Sequence, residues 1–99
     1  MGMDDAQFER IAKALADPSR FAVLARIAGE REVSCSSLGE ALAISMPTIS
    51  HHLKELAAAG LVEARREAKF VYYRVRREIA TEYARDLQRR LGLLRHSGK

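Results

Sequence analysis

The spacing of apolar residues predicts that the first part of the chain is helical. Three of them recur at helical steps and predict a first helix over about Asp4–Ala16: Phe8, Ile11 and Leu15. Asp17 followed by Pro18 is typical of a helix start and predicts a second helix that ends near Gly29. The expected apolar face of this second helix consists of Phe21, Leu24, Ile27 and Ala28.

Serine residues mark the start of two further helices. Ser34 or Ser36 is expected to cap a short third helix that runs through Ala43. Ser45 is expected to cap a fourth helix, which Gly60 ends. The core stripe of the fourth helix is predicted to consist of Ile49, Leu53 and Leu56.

Two β-rich runs follow the fourth helix. Leu61–Arg66 and Phe70–Val75 bracket the polar segment 67–69, so they predict a β-hairpin with a charged tip. The residues expected to face the core from its second strand are Val71, Tyr73 and Val75. A final helix is predicted from Glu78 to about Leu94, because apolar residues again recur at steps of three and four.

The fourth helix carries different residues on its two sides. Opposite the core stripe lie Pro47, Thr48, His51, Lys54 and Ala58. A helix buried on both sides would not place His, Lys and Thr there, and small hydrogen-bonding residues suit close approach to base edges and phosphates. Followed by a hairpin, this helix predicts a mainly α fold with a small β-hairpin, the winged helix-turn-helix. Residues 1–99 are expected to form a single domain of this kind that binds double-stranded DNA.

The distribution of charge agrees with DNA binding. Residues 1–40 hold five basic and seven acidic residues, whereas residues 41–77 hold seven basic and three acidic residues. The positive charge therefore gathers on the fourth helix and the hairpin, where phosphates would be neutralised. Charge alone would favour ordinary solvated surface groups, so the prediction depends on the helix and the hairpin.

Composition narrows the class of protein. The chain is 47% hydrophobic and 30% charged, which is typical of a folded domain rather than a disordered one. No apolar run approaches the roughly 20 residues that span a bilayer, and residues 1–10 do not resemble a secretory signal. The single cysteine excludes an intrachain disulfide and is compatible with a reducing compartment. A cytoplasmic protein with no membrane contact is expected.

The final helix has more apolar residues than so small a core needs. They could be buried if the helix folded back onto its own domain, or if it formed a symmetric dimer contact together with the first helix. The dimer is favoured, because two-fold symmetry would place two recognition helices about one DNA turn, roughly 34 Å, apart. The expected dimer interface consists of Phe8, Ile11, Leu15, Ile79, Tyr83, Leu87, Leu91 and Leu94.

Two segments resemble the ArsR family of winged-helix transcriptional repressors: ALADPSRFAVLARI and SMPTISHHLKELAAAGLVEARREAKFVYYRV. The similarity covers about Ala12–Val75 and implies a homodimer that binds an inverted repeat in a promoter and leaves it when an effector arrives. By motif match it implies DNA contacts at Ser45, Pro47, Thr48, Ser50 and His51 on the fourth helix and at Arg65, Arg66 and Lys69 on the hairpin. The polar side of the fourth helix adds Lys54. His52 is expected to pack against neighbouring helices, and family wings usually carry Gly where Ala68 stands.

The residues that could sense an effector are few. Ser34 and Ser36 stand where arsenic-sensing members carry Cys, and one thiol cannot chelate a soft metal, so no metal or cofactor is expected. Cys35 is interpreted first as a small apolar filler at a helix start. The alternative is a thiol whose pKa is lowered by the helix N-terminus and which responds to oxidants, giving a redox-responsive repressor. The effector stays unknown, and ligand-free regulation stays open.

Other classes of function are less favoured. Glu78, Glu82 and Asp86 of the final helix are expected to be surface charges, since carboxylates with no imidazole nearby make a weak zinc site. An enzyme is not expected, because no nucleophile motif, Gly-rich loop or metal cluster accompanies the histidines and the cysteine. A winged helix that binds protein instead of DNA is the remaining alternative, and a weak dependence of binding on salt would indicate it.

Overall fold

The computed structural model describes residues 2–93 of the chain. Its elements in chain order are α1 (Asp5–Leu15), α2 (Pro18–Ala28), β1 (Val33–Ser34), α3 (Cys35–Leu42), α4 (Met46–Ala58), β2 (Val62–Glu67), β3 (Phe70–Val75) and α5 (Arg77–Arg90). This order confirms the predicted mainly α fold with a small β-hairpin. It adds one short strand, β1, that the sequence did not predict.

Local capping explains where α2 and α3 begin. The Asp17 carboxylate accepts two backbone N–H groups, at 2.9 and 3.1 Å, and Pro18 occupies the first turn of α2 as predicted. Ser34 rather than Ser36 caps α3, because its Oγ accepts the backbone N–H of Ser37 at 3.2 Å. These starts depend on neighbours in the sequence, and for that reason the sequence predicts them well.

The three strands form an antiparallel sheet in the order β1-β3-β2. In the β2–β3 hairpin, Glu67 lies opposite Phe70, so the turn holds two residues rather than the predicted three. β1 adds Val33 opposite Tyr73 at the other edge of β3. The sheet thereby attaches the hairpin, which we call the wing (residues 62–75), to the helical part of the domain.

The core lies between the helices and one face of the sheet. Its largest fully buried side chains are Ile11, Val23, Ile27, Leu38, Ile49, Leu53, Leu56 and Leu61. The predicted core stripe of α4 is therefore confirmed, but the predicted apolar face of α2 is wrong at Phe21, which is 51% exposed. Val23 and Ile27 share the buried side of α2, and Phe21 lies two residues from Val23, about 200° around the helix.

The last helix ends earlier than predicted. α5 stops at Arg90, and Gly92 follows with a φ of +72°, in the left-handed region that favours glycine. Leu94, the predicted end of the helix and a predicted interface residue, lies outside the described residues. Among the helices of residues 2–93, α5 included, none is long and apolar enough to cross a membrane.

Candidate nucleic-acid interface

The polar side of α4 is open to solvent. Ile49, Leu53 and Leu56 hold the other side of the helix in the core with at most 1% of their surface exposed. All the predicted contact residues of this element are exposed: Ser45, Pro47, Thr48, Ser50, His51 and Lys54. The structure thus brings the predicted side chains together on one accessible face of the chain.

The start of α4 leaves backbone donors uncommitted. Ser45 sits at the N-cap position, but within residues 2–93 it makes no side-chain bond to a backbone N–H. Its hydroxyl donates instead to Thr48 Oγ1 at 3.0 Å. The N–H groups of a first helical turn attract anions, so this end of α4 can accept a phosphate.

The two adjacent histidines of α4 have different environments. His51 is exposed, whereas His52 is only 5% exposed and its Nε2 lies 3.1 Å from Ser19 Oγ at the start of α2. Burial lowers the pKa of His52, and the charge of Asp17 opposes that shift. The prediction that His52 packs against a neighbouring helix is confirmed, and Ser19 is its partner.

A close approach of α3 and α4 fixes the orientation of α4. A Cβ added to Gly39 of α3 would lie 2.9 Å from Met46 Sδ and 3.3 Å from the carbonyl oxygen of Ile44. Between the two helices, Ala43 takes a left-handed φ of 55°. The turn is therefore tight, and a larger residue at position 39 would require Met46 to change its side-chain position and the backbone at Ile44 to shift by a few tenths of an ångström.

The surroundings of Cys35 favour the protonated thiol over the thiolate. The side chain is half-buried at the start of α3. Burial raises the pKa of the Cys35 thiol, and a hydrogen bond with Ser50 of α4 opposes that shift only in part. The expectation that the helix N-terminus lowers this pKa is wrong, because desolvation of the thiolate has the larger effect.

The tip of the wing presents basic side chains to solvent. Arg66 and Lys69 are exposed, and Lys69 Nζ lies 5.9 Å from the centre of the exposed Phe70 ring. Ala68 has a φ of 56°, the left-handed conformation that explains why glycine is usual there in the resembling family. The wing tip and the polar face of α4 together supply the cations and donors that DNA contact needs.

Arg65, the third predicted wing contact, is already bound to carboxylates. Its Nε and Nη2 donate to the two carboxylate oxygens of Glu32 at 2.8 and 2.7 Å, and its Nη1 donates to Glu67 at 2.6 Å. Glu32 precedes β1 and lies 33 residues away in the sequence. No local sequence pattern could have predicted this partner.

Some of the predicted interface residues pack within the chain. Ile11 has no exposed surface and belongs to the core, so its assignment to a dimer interface is wrong. Phe8 and Tyr83 stack with their ring centres 4.9 Å apart, which joins α1 to α5. Leu15 and Ile79 are half-buried against the core, together with Phe8 and Tyr83.

The end of α5 exposes apolar surface. Leu87 is 37% exposed, Leu91 63% and Leu93 62%. Large apolar side chains grouped at one end of a helix favour contact with another protein surface. The predicted interface is thus available at Leu87 and Leu91, whereas the inner half of the apolar stripe serves the core of the chain.

Asp86 is not the surface charge that the sequence predicted. Asp86 is 3% exposed, because the N-terminal segment covers it. Gly2 lies so close that a Cβ added to it would be only 2.1 Å from Asp86 Oδ1. Arg90 Nε donates to Asp86 at 2.8 Å and Arg89 Nη1 at 2.5 Å. The hydrogen bond from Arg90 contributes most to holding the pKa of Asp86 below its ordinary value.

The described part of the chain contains no cluster of three or more His, Cys, Asp or Glu side chains that could hold a metal ion. The two adjacent histidines have ring centres 6.0 Å apart, with one exposed and the other facing α2. The exposed groups on α4 and at the wing tip are mainly hydrogen-bond donors and cations.

Comparison with known proteins agrees with this geometry. Residues 15–65 match the family model of a helix-turn-helix domain. The chain is 41% identical over 69 residues to the arsenic resistance transcriptional regulator ArsR1 of Pseudomonas putida. The match covers 70% of this chain and 54% of that protein, so this chain spans about half the length of that relative. It is 35% identical to the transcriptional repressor SdpR of Bacillus subtilis, covering 64% of this chain and 69% of that one.

A solved structure is similar along the full chain. It is the solution NMR structure of the homodimeric winged helix-turn-helix DNA-binding domain of a possible ArsR-family transcriptional regulator from Mycobacterium bovis. The two are 30% identical, with a TM-score of 0.72, and the match covers 100% of this chain and 97% of that one.

Proposed function

Because the chain belongs to the ArsR family of winged helix-turn-helix transcriptional regulators, we propose that it binds an inverted-repeat operator as a homodimer and represses the genes beside it. The observation that carries this proposal is the solvent-open polar face of α4, the recognition helix, next to a basic wing tip. The family is one of DNA-binding regulators rather than of enzymes. The protein would act in the cytoplasm, where it meets DNA.

The recognition helix is proposed to enter the major groove with its N-terminal half. Thr48 and His51 are exposed hydrogen-bonding side chains that suit contact with base edges. Ser45, Pro47 and Ser50 surround the open N-terminus of the helix, where the free N–H groups suit a phosphate. Lys54, one turn further along, would neutralise a second phosphate.

The wing is proposed to contact the DNA backbone beside the major groove. Arg66 and Lys69 supply two exposed cations at its tip. Residues 41–77, which include α4 and the wing, hold seven basic and three acidic residues, whereas residues 1–40 are net acidic. This asymmetry supports a single DNA-facing side of the domain.

Dimerisation is proposed to use the first and last helices of the single domain, with Leu87 and Leu91 at the centre of the contact. Two-fold symmetry would place the two recognition helices about one helical turn apart, and the operator would then be a pseudo-palindrome. Repression agrees with the similarity to SdpR, which is named as a repressor. A small domain that occupies a promoter can block transcription by occlusion alone.

Two observations bear on the partners of this chain. The raised pKa of Cys35 does not favour a thiolate sensor at rest. The exposed His, Lys and Ser side chains of the recognition helix favour DNA over a protein partner on that face. The proposed partners are therefore double-stranded DNA and a second copy of the chain.

Salt-dependent binding to duplex DNA tests the proposal. An operator would be selected from a pool of random duplexes, and affinity for it and for random DNA would be measured over a range of salt. We expect the logarithm of the binding constant to fall with the logarithm of the salt concentration by about 0.9 for each phosphate neutralised. A flat salt dependence, or no selected site, would contradict DNA binding as the function.

Two variants separate the recognition helix from the wing. His51→Ala is expected to weaken binding to the selected site by ~1–3 kcal/mol and to spare random DNA, because a base contact is lost. Lys69→Ala is expected to weaken both and to reduce the salt slope by about 0.9 for each protomer. Lys13→Ala is the control, since Lys13 is an exposed lysine on α1 that pairs with Glu9. Equal losses from all three variants would refute the assignment.

A further inference from the structure

Arg65 of the wing is tied to the helical side of the domain through Glu32. We propose that Glu32 is a positioning residue: it holds Arg65 across the sheet, fixes the wing, and leaves Arg66 and Lys69 as the wing's DNA contacts. The inference rests on the proposed DNA-binding function. It assigns a role in DNA binding to a residue that would not itself touch DNA.

Arg65 and Glu32 form a bidentate ion pair rather than a single-bond surface contact. Both carboxylate oxygens of Glu32 accept hydrogen bonds from Arg65, at 2.7 and 2.8 Å. A third N–H of the guanidinium donates to Glu67, and its Cζ lies 5.0 Å from the centre of the Tyr72 ring. A bidentate pair of this kind fixes direction as well as distance. Three of the five N–H groups of Arg65 are therefore engaged before any DNA arrives.

The Arg65–Glu32 ion pair spans the whole width of the sheet. Arg65 on β2 lies opposite Tyr72 on β3, and Tyr72 lies opposite Ser34 on β1. Glu32 stands two residues before Ser34, so the ion pair joins the free edge strand of the wing to the segment that leads out of α2. Since β1 has only two residues, the ladder between β1 and β3 alone is a short attachment for the wing.

Alternation along the strands separates Arg65 from Arg66. One face of the wing, which we call the paired face, carries Glu63, Arg65, Glu67, Phe70, Tyr72 and Arg74. Arg66 lies on the other face, the one from which Tyr73 and Val75 pack against the core. The two arginines follow each other in the sequence and yet point to opposite sides.

The charge of the paired face does not favour a phosphate. Arg74 pairs with Glu63, and Arg65 pairs with Glu32 and Glu67. Two arginines are therefore paired with three carboxylates. The net charge of this group is −1. With three of its five N–H groups bonded to Glu32 and Glu67, Arg65 has only two left for a DNA phosphate. Arg66 and Lys69 are not held in any ion pair within residues 2–93.

The removal of one carboxylate tests the role of Glu32. General electrostatics predicts that Glu32→Gln binds DNA more tightly, because a negative charge is lost near the wing. The positioning role predicts the opposite, a loss of operator affinity of roughly three- to fivefold for each protomer, which is the size expected for a partly exposed ion pair. Glu30→Gln is the matched control, because this substitution removes the same negative charge. Within residues 2–93, Glu30 pairs only with Arg26, at 3.9 Å, and forms no ion pair with the wing.

The outcomes are distinct. Weaker operator binding by Glu32→Gln, with Glu30→Gln unchanged or slightly tighter, supports the proposal. Unchanged or tighter binding by Glu32→Gln would overturn it, and tighter binding with a steeper salt slope would show that Glu32 only masks a phosphate contact of Arg65. Binding of the wild-type protein in the same titration tests the proposed function separately.

A conservative change at Arg65 gives a second, independent measurement. Lysine binds a phosphate well as a point charge but cannot make the bidentate pair with Glu32. We expect Arg65→Lys to lose operator affinity although it keeps the positive charge, and Arg65→Gln to lose at least as much, with thermal unfolding used to confirm that both variants fold. Wild-type affinity for Arg65→Lys together with a clear loss for Arg65→Gln would show that Arg65 contacts phosphate, and the positioning role would be rejected.

Discussion

His52 joins the recognition helix to α2 through one side chain. Its Nε2 lies 3.1 Å from Ser19 Oγ, while its Nδ1 is buried and has no hydrogen-bond partner among the described residues. A proton added to this ring would therefore place a charge where burial disfavours it. The neutral imidazole is the form that suits the interface between α2 and α4.

The lowered pKa of His52 predicts that the fold is less stable in mild acid. In the unfolded chain this histidine titrates near its ordinary value of 6.5, and burial lowers that value in the folded chain. Between the two values the unfolded state binds more protons, so stability is complete above about pH 6.5 and falls as the pH drops toward the folded value. The free energy of unfolding, measured in urea from pH 8 to pH 5, should show this decline.

Two glutamine variants isolate the contribution of His52 to that decline. His52→Gln keeps a hydrogen-bonding group near Ser19 but does not titrate, so its unfolding free energy should change less with pH. His51→Gln is the control, because it makes the same substitution at the neighbouring exposed position. An identical pH dependence in His52→Gln and the wild type would show that another group causes the decline.

Elements whose signals are local could be predicted from the sequence, and elements that depend on distant partners could not. Asp17 and Pro18 cap α2 as expected, because the groups they serve lie within three residues. β1 was missed, since two residues carry no periodicity and Val33 becomes a strand only by pairing with Tyr73. The wing was predicted as a hairpin from its alternating residues, but its turn is one residue shorter than expected.

The candidate site shows the same division. The exposed face of α4 followed from helical spacing alone, and all six of its predicted contact residues are exposed. The partner of Arg65 and the burial of Asp86 did not follow, because each depends on a segment far away in the chain. The folded arrangement also decides which apolar residues of α1 and α5 pack in the core and which remain available to a partner.

The turn of the wing is strained at Ala68, and this predicts a stabilising substitution. Ala68 has a φ of 56°, a conformation that costs a residue with a Cβ about 1–2 kcal/mol and costs glycine little. Because glycine also loses more entropy on folding, Ala68→Gly is expected to raise the free energy of unfolding by a net ~0.5–1 kcal/mol. Denaturation in urea would measure the gain.

The same substitution elsewhere in the wing is the control for Ala68→Gly. Ala64 is exposed in the middle of β2, and no positive φ is present there. Ala64→Gly should therefore lower the free energy of unfolding by ~0.5–1 kcal/mol. If both variants lowered stability by a similar amount, the strain at Ala68 would not be relieved by glycine.

Side-chain contacts join α1 to α5. Phe8 stacks on Tyr83, and the Arg90 guanidinium lies 4.0 Å from the centre of the Phe8 ring while it also pairs with Asp86 and Asp5. The exposed leucines at the end of α5 therefore project from a helix whose side chains contact α1, rather than from an isolated helix. A second copy of the chain that covered them would also fix the distance between the two recognition helices.

Leu87→Asp is expected to separate the dimer without unfolding the chain. Leu87 is 37% exposed in the single chain, so a carboxylate there can be solvated in the monomer but would be buried without a partner in a dimer contact. Sedimentation at micromolar concentration should give about twice 11.1 kDa for the wild type and 11.1 kDa for the variant. Because operator binding needs two recognition helices at a fixed spacing, the variant should lose the selected site and retain only weak binding to any duplex.

Phe21→Asp provides the comparison that assigns the dimer contact to α5. Phe21 is also a large exposed apolar residue, 51% exposed, but it lies on α2 and not at the end of α5. We expect Phe21→Asp to remain dimeric and to bind the operator with the affinity of the wild type, because its side chain reaches solvent in both states. A monomeric Phe21→Asp with a dimeric Leu87→Asp would move the interface to α2, and the spacing of the two recognition helices would then have to be derived from that contact instead.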